Sequence, residues 1–206
     1  MAQESAGPAE IEVKAAFVYK FAGYVEWPKS SLSADGPLTI GVAGAPEIES
    51  ELHRIARGRT VGGRSIDIRS VSNENDVRGV QVLFIGGDAT AATDRLIAAA
   101  RQAPILLITD MVGGLDRGAM INFVMVQRRV QFEIAIEPAE KAGLGLSSRL
   151  LAVALRVKKG DIASDVLLAD TRIGGERTLA FRSRPSPTQR VFFTTADKET
   201  RFVSLA

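Results

Sequence analysis

An α/β fold is what this chain predicts: a mostly parallel sheet with helices on both faces, an antiparallel hairpin near its C-terminal half, and a C-terminal extension. Three observations carry that expectation. Short, mostly apolar runs at Leu38–Ala43, Val80–Ile85 and Ile105–Thr109 alternate with helical patterns over 46–57 and 90–101, the signature of strand–helix–strand units. Two strand-like runs, 119–126 and 129–136, are joined only through Gln127-Arg128, and so short a connection requires an antiparallel pair. Beyond Lys159 the character changes to short segments punctuated by Gly174-Gly175, Pro185 and Pro187. Three stretches follow: an unstructured N-terminal segment (1–9), the α/β domain (10–159) and the extension (160–206).

The elements are justified in order. From Glu10 to Val25 the residues Ile11, Ala15, Val18, Ala22 and Val25 share one stripe, with Phe21 beside it, so an amphipathic helix is predicted. Pro28 disfavours helical geometry at Trp27 and stops it there. Residues 30–37 are turn-rich. After the strand 38–43, Pro46 and Glu47 suit the first turn of a helix, whose buried face is Ile48, Leu52, Ile55 and Ala56; the glycines from Gly58 to Gly63 close it. Between Ser65 and Val71, Ile66 and Ile68 alternate with Asp67 and Arg69, a half-buried strand. The run 80–85 reads as a strand covered on both faces, 90–101 as an alanine-rich helix, and 105–109 as another buried strand. Gly113, Gly114 and Gly118 interrupt the chain before the hairpin. In the second hairpin strand Val130, Phe132, Ile134 and Ile136 alternate with Gln131, Glu133 and Glu137. Ser147 is placed to cap a helix over 147–157, with Leu150, Leu151, Ala154 and Leu155 facing the core. In the extension, RTLAF and RVFF read as weak strands.

Composition narrows the chemistry. The 206 residues carry a formal charge of +2, with 46% hydrophobic and 24% charged residues, ordinary for a folded domain. From Arg156 onward there are ten basic and six acidic residues, so this part is +4 and the preceding body −2. The absence of cysteine removes disulfides, thiol catalysis and thiolate metal sites. No apolar run approaches the ~20 residues of a membrane helix. The segment AQESAGPAE after Met1 reads as the start of a processed, exported protein whose signal peptide has been removed; a native cytoplasmic start is the other reading of its composition.

Candidate chemical residues each have a plain structural explanation. His53, the one histidine, sits just off the buried stripe of its helix and reads as solvated; a zinc site needs more ligands than this chain groups together. Gly41 and Gly44 lie between a strand and a helix but lack phosphate-loop spacing and a Walker lysine, so tight-turn packing explains them. Asp110 ends the strand ILLIT ahead of a glycine-rich loop, where open α/β sheets bind ligands; turn chemistry is the other explanation. Glu133 and Glu137 read as a solvated strand face, and Arg128-Arg129 as a hairpin tip. Phe17, Tyr24 and Trp27 are either core or an interface patch. The basic extension lacks the aromatic interleaving of a nucleic-acid platform. No metal, cofactor, nucleic acid or membrane insertion is expected.

Several separated blocks resemble one family. KAAFVYKFAGYVEWP (14–28), GAMINF (118–123), VQFEIAI (130–136) and AEKAGLGLSSRLLAVA (139–154) are similar, in order, to the YfiR-like family, with VGGR (61–64) and ILLITD (105–110) between them. The resemblance implies a Rossmann-like periplasmic protein, without catalytic function, that binds and represses the periplasmic domain of an inner-membrane diguanylate cyclase or sensor kinase. An outer-membrane-associated lipoprotein that relieves the repression and a second copy of the chain are further partners to consider. Such a regulator works by holding one conformation of its partner more tightly than another. The polar members of the matching blocks, Glu133, Lys141 and Arg149, are the candidate partner-binding residues. The competing expectation is a small-ligand sensor that uses the crevice near Asp110; an enzyme has the least support. Two departures stand out: the namesake's disulfide cysteines are absent, and Ala135 replaces an expected asparagine.

Overall fold

A computed structural model describes residues 7–32 and 36–159, together with four short strands between 169 and 203. Of the expected N-terminal segment, residues 1–6 lie outside the described residues. The chain falls into two units, Met1–Gly160 and Asp161–Ala206. The first opens with α1 (Pro8–Phe21), which passes through a 3-10 turn (Ala22–Tyr24) into β1 (Val25–Glu26). The predicted helix to Val25 is therefore too long. Val25 and Glu26 pair antiparallel with β9 (Gly145–Leu146), and that long-range pairing takes the backbone out of the helix while keeping Val25 buried.

Next come β2 (Leu38–Ala43), α2 (Pro46–Ala56), β3 (Thr60–Val61), β4 (Arg64–Ser70), β5 (Val82–Gly86), α3 (Ala91–Ala100) and β6 (Leu106–Asp110). The glycines after α2 do more than close it: Gly62 and Gly63, both at positive φ, turn β3 back antiparallel onto β4. Thr90 caps α3 by accepting from the Thr93 N–H at 3.2 Å. The hairpin is β7 (Ile121–Val126) and β8 (Arg129–Ala135), and Gln127 and Arg128 both sit at positive φ, the requirement of a two-residue turn that matches strand twist.

After β8 the structure departs from expectation. Ile136 and Glu137 belong to α4 (Ile136–Lys141), not to the strand. The predicted helix 147–157 is cut to α5 (Ser148–Ala152), and β10 (Arg156–Lys158) follows. Ser147 does cap α5, its side chain accepting from the Arg149 N–H. The helix ends because the open edge of β8 offers a better partner: the Leu155 N–H donates to the Phe132 carbonyl at 2.8 Å, and Arg156–Lys158 pair parallel with Glu133–Ala135. Leu155 is consequently 48% exposed rather than in the core, and Val153 67% exposed.

The strands form one eight-stranded sheet, ordered β10-β8-β7-β6-β5-β2-β4-β3. The run from β4 through β7 is parallel; β7 with β8 and β3 with β4 are antiparallel. Its central strands bury both faces by strict alternation. Ile40, Val42, Val82, Phe84, Leu106 and Ile108 face α1 and α2; Leu83, Ile85 and Leu107 face α3. On the first face Phe17 and Phe21 pack onto Phe123 and Phe132, with the Phe21 and Phe132 rings 4.8 Å apart and edge to face. In the second unit β11 (Ala169–Ile173) pairs antiparallel with β12 (Glu176–Ala180), and β13 (Val191–Thr194) with β14 (Thr200–Val203).

Candidate functional site

The parallel strands add outward in two directions from β2, and ligands of open α/β sheets settle where that order reverses. Here the crevice between β2 and β5 is occupied by the loops themselves. A Cβ on Gly44 would stand 2.6 Å from the Gly86 carbonyl oxygen, and one on Gly86 2.8 Å from the Ala45 Cβ. Gly41 is equally constrained, since a Cβ would meet Val71 at 2.8 Å. These glycines serve close packing.

The open space lies further along, above the end of β6. A cleft of about 810 Å³ is bounded by the loops after β5 and β6, by β7 and β8, and by Arg156. Its floor is an ordered polar network. Asn122 is buried in the apolar strand β7 opposite Thr109. Its Oδ1 accepts from the Thr109 hydroxyl at 2.8 Å and the Met111 N–H at 3.3 Å. Because an N–H only donates, the amide oxygen must face that way; the opposite, donating end has no partner among the described residues. Gly114 closes over this pair: a Cβ there would lie 2.2 Å from the Thr109 Oγ1 and 2.4 Å from the Asn122 Oδ1. Asn122 and Gly114 thus set the path of the glycine-rich loop.

Behind the loop sits Lys14, only 3% exposed on the inner stripe of α1. Its Nζ donates to the Asp110 Oδ2 at 2.6 Å and to the Glu10 carboxylate one turn earlier. Burial is the largest single influence and pulls its pKa down. Hydrogen bonds and charge from Asp110 and Glu10 together outweigh burial, and the net result is a pKa above the ordinary 10.5. Asp110 therefore anchors α1 to the end of β6 as well as opening on the cleft.

The expected site residues separate. Asp110 and Glu133 both line the cleft. Glu133 also takes Arg156 at 2.9 Å across the β8–β10 pair. Lys141, in the last turn of α4, pairs with Glu137 and is exposed, and Arg149 is exposed on α5; neither lines the cleft. The Lys141 ammonium holds the Glu137 carboxyl below its usual range. His53 is exposed. Phe17 and Trp27 pack against the core while Tyr24 is 39% exposed, which divides the aromatic patch. The Trp27 Nε1 is buried without a hydrogen-bond partner among the described residues.

Lys14, Asn122 and the apolar rim went unnoticed in the sequence. Lys14 had a signal: it falls three residues after Ile11 and four before Val18, on the buried face. Asn122 sits amid the apolar MINFV run, but its partners come from β6 and are invisible locally. Among the described residues, no group of three or more His, Asp or Glu could hold a metal ion, and no helix is long and apolar enough to cross a membrane.

Comparison with known proteins adds two findings. The model of the family described as YfiR/HmsC-like matches residues 11–155, nearly the whole first unit. No curated protein matches. Among solved structures, the crystal structure of a conserved domain protein from Vibrio cholerae O1 biovar El Tor strain N16961 aligns with a TM-score of 0.50 at 16% identity, covering 72% of this chain and 60% of that one. At that identity the likeness is one of fold, and this chain spans about 60% of that protein's length.

Proposed function

Because the chain belongs to the YfiR/HmsC-like family, we propose that it is a non-catalytic periplasmic protein that binds and represses the periplasmic domain of an inner-membrane signalling protein, a diguanylate cyclase. The family in general comprises periplasmic regulators of cyclic di-GMP signalling. The carrying observation is that the family match runs from the second turn of α1 to the residue before β10, so all the elements that build the cleft belong to the family's fold except β10 itself. Repression is then a difference in affinity for two states of the partner. Glu133, Lys141 and Arg149 are the proposed polar contacts. A sensor kinase is the alternative membrane partner, an outer-membrane lipoprotein the proposed antagonist, and self-association a further proposed contact.

Co-purification of the full chain with any inner-membrane cyclase or sensor encoded beside it tests the reading, together with cellular cyclic di-GMP measured with and without the chain. Binding together with lowered cyclic di-GMP supports it; absence of binding to every neighbouring sensor refutes it. The size of the cleft beside Asp110 favours one competing reading, a small-ligand sensor. Stabilisation of the chain by a member of a metabolite panel, with no cyclase binding, would replace the first reading with the second.

A further inference from the structure

β6 stops at Asp110, and its pairing with β7 is limited to Ile108 with Ile121 and Thr109 with Asn122. β7 runs on to Val126, held on its other side by β8 through Val126–Arg129. From Phe123 to Val126, β7 therefore has no second strand partner among the described residues. The hydrogen-bonding phase of this edge follows from the register. Val126 and Arg129 close the two-residue turn as a hydrogen-bonded pair, so Val126 and, by alternation, Val124 and Asn122 direct their backbone groups at β8. The Met120 carbonyl, in the same phase, accepts from the Ala135 N–H at 2.8 Å, while the Met120 N–H turns to the Leu107 carbonyl of β6 at 3.0 Å. Phe123 and Met125 then direct theirs to the opposite side, into the cleft that Phe123, Val124 and Met125 line. An uncovered strand edge is a template for another strand, and folded proteins ordinarily blunt it. Here it lies in a walled groove instead.

The walls select a chemistry. Val112, 97% exposed at the loop tip, and Met125, 48% exposed, give an apolar rim. Asp110, Asp116 and Glu133 line the cleft together with the cation Arg156. With Glu10, Lys14 and Lys158 behind them, these ion pairs set four carboxylates against three cations.

We infer that this cleft is a strand-addition site, in which an extended segment of the partner protein, carrying apolar side chains flanked by lysine or arginine, pairs with Phe123–Val126 of β7 in the place β6 leaves empty. Main-chain hydrogen bonds supply affinity and the apolar rim and carboxylates supply selectivity. The inference rests on the regulator reading for the identity of the partner, but not for the existence of the site.

The test is a random peptide library selected on the immobilised full chain, with recovered peptides measured by fluorescence anisotropy. Binders rich in Lys or Arg beside apolar residues are expected. They should weaken about tenfold on Met125→Pro, which removes a cleft-facing N–H without touching a bond to β8, and similarly on Val112→Glu. Binding should fall as salt rises. Methylating the peptide nitrogens should abolish binding at alternate positions only, a signature that does not depend on how the protein variants fold. Acidic consensus sequences, equal binding to both variants, a non-alternating methylation pattern or no binders at all would overturn the proposal. If the cyclase co-purifies equally well with Met125→Pro, docking lies elsewhere and the regulator reading survives. If basic peptides bind as described and no cyclase does, the site stands and the regulator reading falls.

Discussion

Lys14 is the residue on which two elements meet. Its ammonium is shared by Glu10 on its own helix and Asp110 at the end of β6, so replacing it leaves two carboxylates facing each other near the cleft. Lys14→Met should cost about 2–3 kcal/mol by urea unfolding, toward the lower end for a buried ion pair because both acids keep some solvent. The pH dependence has a definite sign. A base whose folded-state pKa is raised contributes its stabilisation fully below the unfolded value of about 10.4, and loses it as pH climbs through the folded value. The stability gap between wild type and Lys14→Met should therefore be constant through neutral pH and narrow only above that point. A gap that closes near neutrality would show that the pair is not formed. Asp110 was legible from its place at a strand end before glycines; that its charge is already committed to a lysine 96 residues away was not.

At the scale of elements, local pattern succeeded where the partner strand or helix merely buries an apolar face. It failed where a sheet edge competes for the backbone. The β2, α2, α3 and hairpin assignments followed from a short apolar run, a Pro46-Glu47 first turn with a buried stripe, an alanine-rich stretch and a two-residue turn. The stretch after Ser147 did not, because LLAVALRV satisfies a helical stripe and an edge strand alike, and only the free edge of β8 decides between them. Leu155→Pro removes the N–H that reaches Phe132 and should destabilise the first unit by about 1–3 kcal/mol, seen as a lowered thermal midpoint with β8 amides exchanging faster; an unchanged midpoint would mean β10 contributes nothing. The hairpin tip predicts the opposite sign. Arg128 holds φ at 60°, a conformation that costs a side-chain-bearing residue and suits glycine. Arg128→Gly should therefore raise stability by up to about 1 kcal/mol in the same unfolding assay; a loss would imply that the arginine makes a contact of its own.

At the scale of the first unit, the core of the described residues is two apolar layers on the two faces of one sheet. A chain ending at Lys159 should retain one cooperative thermal transition and near-native amide protection in β2, β5 and β6. A broad, uncooperative melt would show that the second unit is part of the same folding unit. The same truncation separates functions: if peptide binding in the cleft is undiminished, the basic residues from Arg172 onward play no part in recognition.

The amino-acid sequence by itself determined the class of fold, the alternation that buries both faces of the sheet, and the blocks that mark the family, because these depend on periodicity and on residues near one another in the chain. Tertiary structure alone decided that α1 yields to β1, that α5 yields to β10, that Lys14 finds Asp110, and that β7 outruns β6 to leave an edge open among the described residues. Each of those outcomes is a contest for hydrogen bonds or charge between segments distant in sequence, and it is settled only when the sheet has assembled and fixed which partners stand within reach.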